Sequence, residues 1–293
     1  MAAIFIFTCM AAGVKYLSET IETPQIIFYR SFVGLVPLIV WMLVRREFPA
    51  ALHTVRPLGH LWRAVVGTAA MGFYFMALAR LPLPDVTAIL YASPLITLGL
   101  ATVILGERVG LHRWSAVGIG LGGVLLILWP HLGAGLAEGD RAALGAILAL
   151  MTAFSMAFVM IQIRSLTGTE STSTIVLYFS LYPSLFALAT LPFGWTVPSA
   201  GEFTILMLIG LGGGCGQLLL TQSYRYAPVS VVAPFEYTAM LWALLLGFTI
   251  FGDVPQVIML VGAAIVIGAG LYVIYRERRL GIADKQAPRT QGT

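Results

Sequence analysis

Residues 223–253, SYRYAPVSVVAPFEYTAMLWALLLGFTIFGD, lie without a gap over residues 77–107, ALARLPLPDVTAILYASPLITLGLATVILGE. Pro82 meets Pro228, Tyr91 meets Tyr237, Gly106 meets Gly252 and Glu107 meets Asp253; further on, Gly122 meets Gly268. Chance pairs apolar residues with apolar residues, but it does not keep prolines, glycines and acids in register. The chain is therefore read as a duplication. Each copy is long and apolar enough to cross a bilayer, which takes about 20 residues as a helix.

Working outward, the whole chain has this character. Hydrophobic residues make up 59% of it and charged ones 10%, and the mean hydropathy is +0.91. A soluble domain carries roughly a quarter charged residues, so the class is a multi-span membrane protein. Ten spans are expected, near residues 2–19, 25–44, 59–79, 84–105, 112–130, 141–163, 172–193, 203–224, 228–251 and 255–275. The net charge of +4 is distributed as the positive-inside rule requires, not as a nucleic-acid footprint. Arg45, Arg46, Arg56 and Arg63 fall between or beside spans two and three, and Arg108, Arg113 and Arg164 border later ones. Arg276, Arg278, Arg279, Lys285 and Arg289 follow span ten. All share one side if both termini are cytoplasmic; the opposite loops are acidic or nearly neutral.

With five spans in each copy, an odd number, the second copy must enter the bilayer upside down. The expected fold is an all-α membrane protein of ten transmembrane helices, built as two inverted five-helix repeats with both termini cytoplasmic. The first repeat covers 1–131 and the second 132–280; the polar tail 281–293 is expected to be disordered. Inverted repeats are a recurrent plan of secondary transporters, with substrate bound between the halves near the midplane.

The stretch RLPLPDVTAILYASPLITLGLATVILGERVGLHRWSAVGIGLGGVLLIL carries Pro82, Ala88, Pro94 and Gly106-Glu107-Arg108, followed by Gly118, Gly120, Gly122 and Gly123. This resembles the EamA family of the drug/metabolite transporter superfamily. The second half repeats the pattern as Ala227-Pro228, Gly252-Asp253 and the glycines from Gly262 to Gly270, so the resemblance covers essentially the whole chain. It departs in one place: Gly-Glu-Arg of the first half is Gly-Asp-Val in the second. The resemblance implies an inner-membrane carrier of a small metabolite. Relatives handle amino acids, S-adenosylmethionine, riboflavin, metallophores or amphipathic compounds, inward or outward.

Ionisable residues at span depth are the first site candidates, because a charge there is costly and usually faces a cavity or a partner. Glu236 lies toward the inner half of span nine, two residues after Pro234, which leaves a backbone carbonyl one turn earlier unpaired. It reads as a coupling carboxylate or as the partner of a buried base. Arg30 and Lys15 sit in the outer parts of spans two and one. Arg30 suits a carboxylate or phosphate clamp, since its fork is always charged and bidentate. Lys15 joins it or snorkels outward. Arg225 is read as a cytoplasmic charge. Tyr91 and Tyr237, as repeat mates, are expected on opposite sides of one central cavity, with Tyr74, Gln217 and Trp242 contributing nearby. Tyr29 and Tyr224 read as interfacial residues. Gly213 and Gly214, in the run Gly212–Gly214 beside Gly216, serve either as a hinge with Pro234 or as a packing contact. Gly118 and Gly122, at small-xxx-small spacing, are expected on a packing seam.

Other classes are disfavoured. The phosphate-cradling GxxxxGK[ST] loop of an ATP-driven pump is missing. So are HExxH, a Ser/His pair at span depth and paired intramembrane aspartates, which argues against an intramembrane hydrolase. The two cysteines, Cys9 and Cys215, and the four histidines form no metal spacing, and no cofactor is expected. The expected partners are a small solute, protons and the lipid bilayer, not nucleic acid; oligomeric state is left open, and one chain could suffice because both halves of the site are present. The reading is secondary transport by alternating access, proton-coupled through Glu236. The alternative is an uncoupled facilitator or exchanger in which Glu236 is a structural ion-pair partner.

Overall fold

A computed structural model describes residues 1–105, 111–132, 138–226 and 235–279. The described residues contain helices and no strand. In chain order the helices are α1 Ala2–Leu17, α2 Thr23–Val33, α3 Leu35–Val44, α4 Pro57–Leu78, α5 Leu83–Leu90 and α6 Ala92–Leu105. They continue as α7 Leu111–Leu132, α8 Glu138–Thr167, α9 Thr172–Leu188, α10 Ala200–Tyr226, α11 Ala239–Leu246 and α12 Val257–Arg279. Five stretches are long and apolar enough to cross a membrane, one of them Thr23–Val44, which joins α2 to α3. Five shorter apolar helices lie among them, so the expected ten segments are all represented. Pro82 and the glycines at 118–123 fall among the described residues; Gly106-Glu107-Arg108, Pro228, Pro234 and the tail lie outside them.

Local chemistry explains where the helices begin. Pro24, Pro57 and Pro84 occupy the first turns of α2, α4 and α5, where a missing N–H costs nothing. Ser199 and Glu202 form a reciprocal cap on α10: the carboxylate accepts the Ser199 N–H at 2.8 Å, and the Ser199 hydroxyl accepts the Glu202 N–H at 3.4 Å. The start of α4 is capped from a distant loop instead. Glu170 accepts the Val55 and Arg56 N–H groups at 3.0 and 3.1 Å and the Thr54 hydroxyl at 2.6 Å. Burial works against its charge, but those three hydrogen bonds and His60, 3.6 Å away, hold its carboxyl below the usual carboxylate range.

Packing follows small residues. Along α7 and α12, a Cβ on Gly123 would stand 2.8 Å from the Gly262 carbonyl oxygen, and one on Gly262 would stand 2.7 Å from that of Gly123. Gly120 lies against Leu95 and Ala269. The seam therefore runs through Gly120, Gly123 and Gly262. Gly118 and Gly122 have nothing within 4 Å of an added Cβ, which corrects their expected place on it. Spacing alone names a helix stripe; it does not say which stripe meets the neighbour.

Other major partnerships are α4 with α8, α1 with α10, α2 with both α9 and α10, α4 with α9, and α6 with α8. α1 packs on α11, and α5 packs on α11. One continuous core joins these elements, with Leu17, Ile26, Phe75, Leu83, Ile89 and Ile127 nearly or fully buried. Outside it, large apolar side chains such as Val44, Leu58, Trp129, Phe193 and Leu241 are exposed. A soluble monomer rarely shows so much apolar surface; lipid covers it in a multi-pass protein.

Candidate functional site

Two helices break inside the bilayer segments. Span four is interrupted at Tyr91, between α5 and α6. Span nine is interrupted at Tyr237 and Thr238, between a helical turn at 235–236 and α11. The two tyrosines are the repeat mates of the aligned copies, and they meet. Their rings contact edge to face, with centroids 5.0 Å apart, where the sequence had suggested opposite walls of an open cavity.

The Tyr91 hydroxyl closes the break in span nine. It accepts the Met240 N–H at 2.8 Å and donates to the Tyr237 carbonyl at 3.1 Å. The Glu236 carbonyl lies 3.4 Å from the same hydroxyl. A broken helix leaves donors and acceptors that lipid cannot satisfy, and here one phenol from the other half of the chain satisfies both kinds. The Tyr237 ring ends against Gly270 of α12, where any Cβ would collide with its hydroxyl. Tyr74 of α4 packs on the buried core that holds both tyrosines, and the half-buried Glu236 directly precedes Tyr237. These residues form one cluster on four elements.

A second cluster is cationic. Arg30 of α2 is buried, with its guanidinium 5.6 Å from the centroid of the Phe179 ring. Arg63 of α4 is buried over the same ring at 4.2 Å. Gly213 of α10 backs the Arg30 stem: an added Cβ would stand 3.2 Å from its Nε and 3.3 Å from the Met10 sulfur. Arg30 and Glu236 do not form an ion pair in this structure; the one between described residues is His60–Glu170.

Arg63 was missed as a site residue by sequence reading, which grouped it with the charges between or beside spans two and three although the expected span 59–79 already contained it. α4 begins at Pro57, so Arg63 lies six residues inside it, about 9 Å along the axis. The available signal was Leu58 and Leu61-Trp62 ahead of it, which extend the apolar run past the charge.

The other candidates are dispersed. Lys15 donates to the Leu81 carbonyl at 2.7 Å and lies 5.2 Å from the Phe251 ring. It fastens the end of α1 to the α4–α5 turn, where Asp253 also accepts the Leu83 N–H at 3.4 Å. Trp242 packs edge to face on Phe5 of α1 at 4.8 Å. Gln217 is half-buried on α10. Gly213 and Gly214 lie in an unbroken α10, and a Cβ on Gly214 would stand 2.5 Å from the Gly34 carbonyl oxygen. In this conformation the run is a packing contact. The Arg225 and Tyr224 side chains lie outside the described residues.

Comparison with known proteins gives one consistent result. The family model described as "EamA-like transporter family" matches residues 1–129 and 143–276. The pseudopaline exporter CntI of Pseudomonas aeruginosa is 27% identical over 268 residues, 91% of each chain. An S-adenosylmethionine uptake transporter of Rickettsia prowazekii is 26% identical over 90% of this chain and 87% of its own. A riboflavin transporter of Rhizobium johnstonii is 31% identical over 78% of this chain and 74% of its own. One solved crystal structure superimposes with a TM-score of 0.65 at 21% identity, covering 95% of this chain and 98% of that one; it shows a shared fold.

Proposed function

Because the chain belongs to the EamA-like transporter family, we propose that it is an inner-membrane secondary carrier of a small organic metabolite. It works by alternating access of two inverted five-span halves, 1–131 and 132–280, with both termini cytoplasmic. The observation that carries this reading is the meeting of Tyr91 and Tyr237, repeat mates that sit at the breaks of spans four and nine. The helix partnerships support it. Shifting by one half-chain turns the α1–α10 pair into α8–α4, and the α2–α10 pair into α9–α4. The pairs α2–α9 and α7–α12 map onto themselves, as does the contact between spans four and nine made by α5 and α11. A pseudo-two-fold axis would produce such a pattern.

The solute is proposed to be an amino acid, S-adenosylmethionine, riboflavin or a similar zwitterionic or amphipathic compound. Stacking faces with a few donors, as at Tyr74, Tyr91 and Tyr237, suit such ligands. Glu236 is the proposed proton-coupling group: a carboxylate at this depth gains and loses a proton as water reaches it from either side. Arg30 orients the solute, and Lys15 closes the end of the bundle at which it already holds Leu81.

Protein reconstituted in liposomes tests the reading with labelled S-adenosylmethionine, riboflavin and amino acids under an imposed pH gradient. Saturable, competed flux is expected, with gradient dependence lost in Glu236→Gln. Gradient-driven flux unchanged in that variant would remove Glu236 from coupling. Steady unitary currents in a planar bilayer would replace the carrier with a channel.

A further inference from the structure

We infer that Arg30 and Arg63 together form an anion subsite that receives a carboxylate of the transported solute; the inference rests on the carrier reading and names its substrate class. Arg30 is 7% exposed and Arg63 2%, yet the only ion pair between described residues joins His60 to Glu170. No described carboxylate neutralises either guanidinium. Arg63 Nε has no hydrogen-bond partner.

A buried base usually escapes this situation by losing its proton. Arginine does not do so under physiological conditions. Two like charges over one phenyl ring repel, and their repulsion grows as the local dielectric falls. The ring face offers partial compensation to a cation, but it supplies no hydrogen-bond acceptors for two guanidinium forks. What completes such a pair is an anion, and among the described residues the protein does not provide one.

The surroundings fit a ligand of this kind. α4 and α8 run antiparallel, with Gly59 against Leu166 and Gly145 against Arg80 and Leu81. That register brings Gln162 level with Arg63, and Gln162 Oε1 is also buried without a partner. One unused donor and one unused acceptor thus share a depth. Gly67 keeps Phe179 close to α4, since a Cβ there would stand 2.5 Å from the ring. Gly213 leaves room for the Arg30 stem. Phe179 and Met10 wall the pair with apolar surface, which suits the organic part of a carboxylate, while the two forks suit its planar oxygens.

The test compares thermal unfolding of the purified full-length protein in sodium benzoate and in neutral benzamide, with ionic strength equalised by sodium chloride. Inorganic phosphate is a third arm. Benzoate is expected to raise the midpoint above benzamide by about 3 °C once it reaches about ten times its dissociation constant. The increment should vanish in Arg30→Gln and Arg63→Gln and survive in part in Arg63→Lys. If the glutamine variants do not fold, Gly213→Ala, which presses on Arg30, should still shrink it. Equal midpoints in benzoate and benzamide, or an increment untouched in every variant, would overturn the subsite. Phosphate exceeding benzoate would overturn the carboxylate assignment. Failure here leaves the carrier reading intact, because flux is measured separately; benzoate stabilisation without any flux would sink that reading alone.

Discussion

Tyr91 shows how a single side chain carries a whole-molecule arrangement. Its hydroxyl takes up the Met240 N–H and the Tyr237 carbonyl that the break in span nine releases. Removing the oxygen leaves the Met240 N–H with only its longer bond to the Tyr237 carbonyl, at 3.3 Å. Tyr91→Phe should therefore lower stability by about 0.5–1.5 kcal/mol, read as a lower unfolding midpoint in detergent. Tyr237→Phe should cost less, since its ring, held by Tyr91 and Gly270, is retained. Equal midpoints for Tyr91→Phe and wild type would show that the bridge contributes nothing. At this scale alignment and depth picked out Tyr91 and Tyr237 as a pair but set them across a central cavity, whereas their rings are in contact; a repeat says which residues correspond, not how far apart they stand. Sequence reading did poorly with Arg63, because a positive charge near a span end looks the same whether it faces water or Phe179. Tertiary packing decides, and periodicity carries no record of it.

At the scale of elements, glycine is the informative residue. Gly123, Gly214 and Gly262 all face a backbone carbonyl across a helix pair, closely enough that a methyl group has no space. Gly118 and Gly122 face nothing within 4 Å. Adding one methyl group should thus separate the two sets. Gly214→Ala and Gly123→Ala should destabilise by about 1–3 kcal/mol through overpacking. Gly118→Ala and Gly122→Ala should be neutral or slightly stabilising, because alanine favours the helix. Thermal unfolding of the four variants checks this; a loss at Gly118 matching that at Gly214 would mean that the seam has been misplaced. The existence of ten apolar segments was legible because length and hydropathy decide it. The seam was not legible, because a glycine stripe and its neighbour three residues away look alike until the partner helix is placed.

For the whole molecule, the decisive question is which ends of the helices face which side. The turn where Gln25 pairs with the Thr196 backbone, accepting its N–H at 3.1 Å, lies at the end of α2 away from Arg45 and Arg46. Thr54, bonded to Glu170 at 2.6 Å, lies at the other. The proposed arrangement follows the positive-inside rule, with the arginine-rich end in the cytoplasm and the two five-span halves inverted. The native thiols, Cys9 exposed and Cys215 half-buried, are first replaced by serine. In that background a cysteine at Val197, which is 96% exposed, should react with an impermeant maleimide on intact cells. A cysteine at Val55, 76% exposed, should react only after permeabilisation. Reversed labelling would turn the molecule over while keeping its fold. Labelling of both positions from one side would be fatal to the inverted-repeat architecture, because α2, which begins near Val197, and α3, which ends toward Val55, would then no longer cross the bilayer as one span.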